Sequence, residues 1–164
     1  MIILDIDNCI ADDKWRIPLI NHEAANDFVK FHAYHMASAG DPHENRHVIE
    51  PASSIAIITS RPVNYRWLTV DWLERHKIAY DFLFMREKVD GAFSSPEVKR
   101  KAVRTLITAF GHQAITMAYD DRPDVIAMYR EEGIPATHLF IHPYDWKEWY
   151  GERSGHSGPD GFHL

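Results

Sequence analysis

Five short apolar runs punctuate the chain, at residues 1–7, 55–59, 82–85, 115–119 and 137–142. They are rich in Ile, Val, Phe and Leu and show little alternation, the pattern of strands buried on both faces. Amphipathic stretches separate them. Residues 65–77 carry Leu68, Trp72 and Leu73 among charged positions. Residues 96–110 follow the capping pair Ser94-Ser95 and place Val98, Ala102, Leu106 and Ile107 on one face. Residues 123–132 end at Gly133, a C-terminal stop. Strands alternating with helices imply βαβ units joined by right-handed crossovers. The expected fold is therefore α/β, a Rossmann-like parallel sheet of about five strands flanked by helices.

One stretch breaks the alternation. Residues 13–51 hold a helical segment at 23–39 and the turn-rich Gly40-Asp41-Pro42-His43, and they read as a small cap insert after the first strand. The chain is expected to form one domain over residues 1–150. The glycine-rich stretch 151–164 reads as a mobile tail.

Composition narrows the field. The chain has 164 residues, 45% hydrophobic and 26% charged, with a formal net charge of −6. That charge argues against broad duplex binding through phosphate neutralisation. No apolar run is long enough to span a membrane, and the N-terminus lacks the basic region of a secretory signal. One cysteine forms no intrachain disulfide and no zinc cluster, which suits a reducing, cytoplasmic setting. No obligate protein partner is evident.

The candidate chemistry lies at the carboxyl ends of the strands, where parallel sheets bind ligands. Asp5 and Asp7 end the first run, and Asp120 and Asp121 end the fourth. If those strands are neighbours, four carboxylates meet at one edge, an arrangement that a hard divalent cation stabilises. A lone D-x-D is common and by itself is read more simply as a solvated turn. It is not a calcium loop, because the fifth and twelfth places from Asp5 hold Cys9 and Arg16. Nor is Cys9 a phosphatase nucleophile, since the arginine that such a loop needs six places on is Trp15.

The ordered set is more specific than its parts. Strand-DIDNC, strand-TSR, a helix-borne lysine and strand-DDR follow one another. With IAIITSRP, EVKRKAVRTL and AYDDRPDVIAMYREEGI, the sequence resembles the haloacid dehalogenase superfamily of phosphohydrolases, and within it the phosphatase domain of phage polynucleotide kinase. The likeness runs over roughly residues 1–142 and is strongest over 55–135. It implies Asp5 as the nucleophile that takes the phosphoryl group, and Asp7 as general acid and base with a pKa raised toward neutrality. It implies Thr59 on a phosphate oxygen and Lys99, rather than Lys101, beside Asp5. Mg2+ would be held by Asp5, Asp7, Asp120 and Asp121, with Asp121 the preferred direct ligand. Ser60, Arg61, Arg122 and Arg16 are the candidate substrate-binding residues. The usual glycine after D-x-D is Asn8, a residue that tolerates a left-handed backbone.

The expected reaction is Mg2+-dependent hydrolysis of a phosphomonoester, the 3′-phosphate of a nucleic-acid end or nucleotide. A 5′-nucleotidase or a small-metabolite phosphatase is the alternative. No G-x-x-x-x-G-K-[ST] occurs, so no P-loop kinase is read here. A phospho-accepting receiver would carry its acidic pair after the first strand and its accepting Asp after the third, the reverse of this order. Trp15, Arg16, Phe28 and Phe31 are candidates for base contacts, against the plainer reading of cap packing. Trp67, Trp72, Trp146 and Trp149 read as core or edge packing. His32/His35 and His43/His47 lack a third ligand for zinc.

Overall fold

The five apolar runs pair into one parallel sheet in the order β3-β2-β1-β4-β5. The strands are β1 (Ile2–Leu4), β2 (Ile55–Pro62), β3 (Phe82–Arg86), β4 (Met117–Asp120) and β5 (Ala136–His138). The computed structural model describes residues 1–20, 27–91 and 93–143. Trp146, Trp149 and the expected tail at 151–164 lie outside them.

Helices α1 (Phe28–Ala37), α2 (Arg66–Arg75), α3 (Ser95–Phe110) and α4 (Pro123–Glu131) connect the strands. The period of two in β1 and β2 divides the core. Ile3, Ala56 and Ile58 face Val103, Leu106, Val125 and Tyr129 of α3 and α4. Leu4, Ile55 and Ile57 face Trp72 and Leu73 of α2. Both faces are covered, which is why these strands read as unbroken apolar runs.

Two differences from the sequence pattern have clear causes. The first run ends its ladder early: after Leu4 only the Asp5 amide continues it, donating to the Tyr119 carbonyl at 3.1 Å. Beyond Ile6 the chain folds into a tight loop in which the amides of Ile10 and Ala11 both donate to the Ile6 carbonyl. Within that loop Asn8 adopts φ 51°. The second difference is at Asp27, whose side chain accepts from the amides of Val29 and Lys30 and starts α1 at Phe28.

Between β1 and β2 the chain forms a 3₁₀ turn at Lys14–Leu19, then α1 and short 3₁₀ turns. Ile17, Ile20, Phe31 and Tyr34 there pack with Tyr65 and Leu68 as a small cluster of their own. The Trp72 indole nitrogen of α2 donates to the Asp41 carbonyl at 2.8 Å and ties this segment to the main body. Among the described residues no helix is long and apolar enough to cross a membrane.

Candidate active site

Register decides which acids meet. Leu4 pairs with Tyr119 in the parallel β1–β4 ladder, so the next residues, Asp5 and Asp120, stand side by side at its carboxyl end. This is also where the strand order reverses, since β2 and β3 follow on one side of β1 and β4 and β5 on the other. Carboxylate oxygens of Asp5, Asp120 and Asp121 lie within 4.8 Å of one another, and all three residues are buried. The first turn of α3 supplies Lys99, whose Nζ lies 2.9 Å from Asp5 Oδ1 and 2.7 Å from Asp120 Oδ2. Lys101 turns away to Asp90 at 2.5 Å.

Burial, reinforced by Asp120 and Asp7 and opposed by Lys99, pushes the Asp5 carboxyl up to about 7. Burial also opposes the charge on Lys99, but Asp120 and Asp5 outweigh it and hold the ammonium well above its ordinary range. Asp5 Oδ1 is buried and meets the Lys99 ammonium. Asp120 Oδ1 accepts from the Arg122 amide at 3.1 Å, and Asp121 Oδ2 from Asn8 Nδ2 at 3.3 Å. The left-handed Asn8 also clamps the chain after β5. Its Oδ1 accepts from the His142 amide and its carbonyl from the Ile141 amide.

Asp7 departs from expectation. Its carboxylate is not in the three-acid cluster. It is turned to two guanidiniums, with Arg16 Nη2 at 2.5 Å and Arg61 Nη2 at 2.6 Å. Burial alone would raise its pKa, but Arg61 and Arg16 outweigh that and hold the carboxyl well below the usual carboxylate range. The expected rise toward neutrality is therefore corrected: in this arrangement Asp7 is ionised. The expectation weighed the neighbouring acids but not two cations reaching the same carboxylate.

Those cations are themselves buried. Arg16 and Arg61 share Asp41, which accepts from Arg16 Nε at 2.9 Å and from Arg61 Nη2 at 3.1 Å. Arg16 also lies over the Tyr34 ring at 4.2 Å. It is thus packed inside the insert rather than laid open for a base. Phe31 is likewise buried, whereas Trp15 and Phe28 are exposed, as is Trp67, which was expected in the core or at an edge. Trp72 is fully buried. Arg122 pairs with Asp124 of α4, at 3.1 and 2.7 Å. Thr59 Oγ1 accepts from the Arg61 amide at 3.2 Å, and Ser60 Oγ lies 2.7 Å from Ser95 Oγ.

Three residues with no recognisable spacing complete the surroundings. Asp41 sits in what reads as an ordinary turn. Asp13 is buried, accepts from the Tyr34 hydroxyl at 3.2 Å and is pushed up to about 7 by burial, with Arg16 opposing. His35 is buried on α1, its ring 4.6 Å from Tyr65 and nearly parallel to it. A cleft open to solvent runs past Asp7 and Arg61 between α1 and the segment after β3.

Comparison with known proteins gives the same neighbourhood. The family model described as the polynucleotide kinase PNKP phosphatase domain matches residues 1–139. No curated protein matches the chain. A chain of the Pnkp1/Rnl/Hen1 RNA repair complex superposes with a TM-score of 0.61 at 18% identity, over 87% of this chain and 43% of that one. A chain of another Pnkp1/Rnl/Hen1 complex gives 0.63 at 20% identity, over 87% and 46%. This chain thus spans less than half the length of either, and at these identities the likeness is one of fold.

Proposed function

Because the chain belongs to the family of polynucleotide kinase phosphatase domains, we propose that it is a Mg2+-dependent phosphomonoesterase that removes 3′-phosphate from nucleic-acid ends or nucleotides. The observation that carries this reading is the meeting of Asp5, Asp120 and Asp121 within 4.8 Å, with Lys99 against Asp5. The donor set fits a hard cation: all oxygens, all buried, and within reach of one another. Asp5, Asp120 and Asp121 would hold the ion, which when bound neutralises charge on the carboxylates and on the phosphate.

Each of the chain's own groups then has a task. Lys99, itself held by Asp120, fixes Asp5 so that one oxygen can attack phosphorus in line with the departing ester oxygen. The Asp5–phosphorus bond forms as the ester bond breaks, and the leaving oxygen takes a proton from Asp7. For Asp7 to hold that proton, a guanidinium must leave it. Arg61 is placed to exchange Asp7 for phosphate oxygens, which its planar fork suits. Losing that cation raises the Asp7 pKa. In the second half, Asp7 takes a proton from water as the water oxygen attacks phosphorus and Asp5 is released. Thr59 and Ser60 are candidates for the remaining phosphate oxygens, and residues 13–51 for a cap over the strand ends.

The test is direct. Asp5→Asn should lower phosphate release from a 3′-phosphorylated oligonucleotide by about a thousandfold or more while leaving the circular dichroism unchanged. Residual activity within about tenfold of wild type would remove Asp5 as nucleophile. The net charge of −6 favours a second reading, a small nucleotide as substrate. Turnover of an oligonucleotide should fall steeply with salt and that of a mononucleotide only gently, so assays at two salt concentrations separate the two.

A further inference from the structure

One buried polar group beside Asp7 has no task in that reaction. His35 is 5% exposed, lines the cleft that contains Asp7 and Arg61, and has a buried Nδ1 without a hydrogen-bond partner. Its ring cannot be repositioned cheaply. It lies 4.6 Å from Tyr65 at an interplanar angle of 18°, with Phe31 edge-on at 4.5 Å and Tyr34 edge-on at 5.1 Å. Burial and the nearby Arg16 hold the imidazole neutral, so the ring keeps both a donor and an acceptor. An unsatisfied buried nitrogen is costly, and a rigid one in a cleft wall is a site for a ligand group that can satisfy it.

The leaving group lies on the Asp7 side of the phosphorus, because Asp7 is the group proposed to protonate it. On a 3′-phosphorylated nucleotide the polar substituent next to the leaving oxygen is the 2′ position. The α1 side of the cleft wall is otherwise made by Phe31 and Tyr34, with Ser60, Asn64 and Lys88 among the polar residues of the rest, while Arg61 is engaged with Asp7 and Asp41. We propose that His35 is a specificity-determining residue that hydrogen-bonds the ribose 2′-hydroxyl of the terminal nucleotide, so that RNA 3′-phosphates are preferred over DNA 3′-phosphates. The inference rests on the proposed function. It extends that function from phosphate removal to the choice of sugar, the hydroxyl being what distinguishes the two nucleic acids at one site.

The experiment compares kcat/KM for matched 3′-phosphorylated ribo- and deoxyribo-oligonucleotides, with p-nitrophenyl phosphate as a substrate without a sugar. Wild type should favour the ribo substrate about tenfold, the worth of one hydrogen bond. His35→Phe keeps a ring against Tyr65 and Phe31 and should bring the preference below about twofold, with aryl phosphate turnover unchanged. His35→Gln, which keeps hydrogen-bonding atoms, should retain part of it. Equal efficiency of wild type on the two oligonucleotides overturns the inference and leaves the proposed function standing, as does a preference that survives His35→Phe. Turnover of aryl phosphate with neither oligonucleotide overturns both. Loss of all three activities in both variants makes His35 a packing residue and overturns the inference alone.

Discussion

Asp41 decides how the two buried arginines can sit beside Asp7. Its side chain is fully buried and accepts from Arg16 Nε and Nη2 at 2.9 Å and from Arg61 Nη2 at 3.1 Å. Without it, two desolvated guanidiniums would face Asp7 and Asp13, whose carboxyl burial pushes up to about 7. Breaking a buried pair by removing one partner typically costs about 3–5 kcal/mol, because the other charge stays behind in low dielectric. Asp41→Ala should therefore lower unfolding stability by about that much, read as a shift in the urea midpoint at unchanged slope. A loss below about 1 kcal/mol would mean that the arginines find water, and that Asp41 is not what holds them. A residue of such weight carries no mark in the sequence. It lies 25 positions from Arg16 and 20 from Arg61, within a Gly-Asp-Pro turn where an aspartate is ordinary. Asp13 and His35 are equally silent, since their partners are set by the insert's packing rather than by any periodicity.

Helix α3 shows the opposite case, an element whose start, face and cargo are all written locally. The Ser94 amide and hydroxyl both donate to Glu97 Oε2, at 2.7 Å each, and Pro96 occupies the first turn. Val98, Ala102, Val103 and Leu106 are buried at helical spacing, and that register places Lys99 inward to Asp5 while Lys101 points to Asp90. The sequence pattern foresaw the face but put Ile107 on it without Val103; in the structure Val103 is fully buried and Ile107 half-buried. Of the two serines read as a cap, only Ser94 acts as one, while Ser95 opens the helix and meets Ser60. Ser94→Ala should cost about 1 kcal/mol in a urea titration. Its effect on kcat/KM should stay within about twofold, because the core contacts of α3 still aim Lys99. A cap variant that lost activity without losing stability would show that the helix start itself touches substrate. The same locality explains why the parallel sheet was legible from run lengths and alternation, whereas the meeting of Asp5 with Asp120 was legible only on condition that β1 and β4 are neighbours, which the strand order supplies. The insert was legible only as an interruption, because its contacts to Asp7 and Trp72 are long-range and aperiodic.

At the scale of the whole molecule the unusual feature is buried carboxyl groups held at a high pKa. Asp5 and Asp13 are both pushed up to about 7 from an ordinary 3.8, chiefly by burial. A carboxyl whose folded pKa exceeds its unfolded one binds more protons in the native state between those values, so stability is lost as pH rises through the folded pKa. Asp7 and Glu132, held low by their arginines, act in the other direction, but their stabilisation is lost only as pH falls below about 4. From pH 5 to pH 8 these two carboxyls therefore each take about 2–3 kcal/mol from the metal-free protein, while His35, His43 and His76, held below their ordinary range chiefly by burial, act in the opposite sense up to about pH 6.5. Mg2+ reverses part of this, because it competes with the proton for the Asp5 cluster and binds the folded chain alone. At a hundredfold excess over its dissociation constant, a folded-state ligand adds about 2.7 kcal/mol. For a chain of this size that is a rise in Tm of about 5–10 °C. The rise should be larger at pH 8 than at pH 5, where protons already occupy the cluster, and Asp5→Asn should remove the Asp5 share of the pH slope and flatten the Mg2+ response. Melting curves at the two pH values with and without Mg2+ check this. An equal Mg2+ shift at both would place the cation on surface acids and take the buried trio out of the reaction.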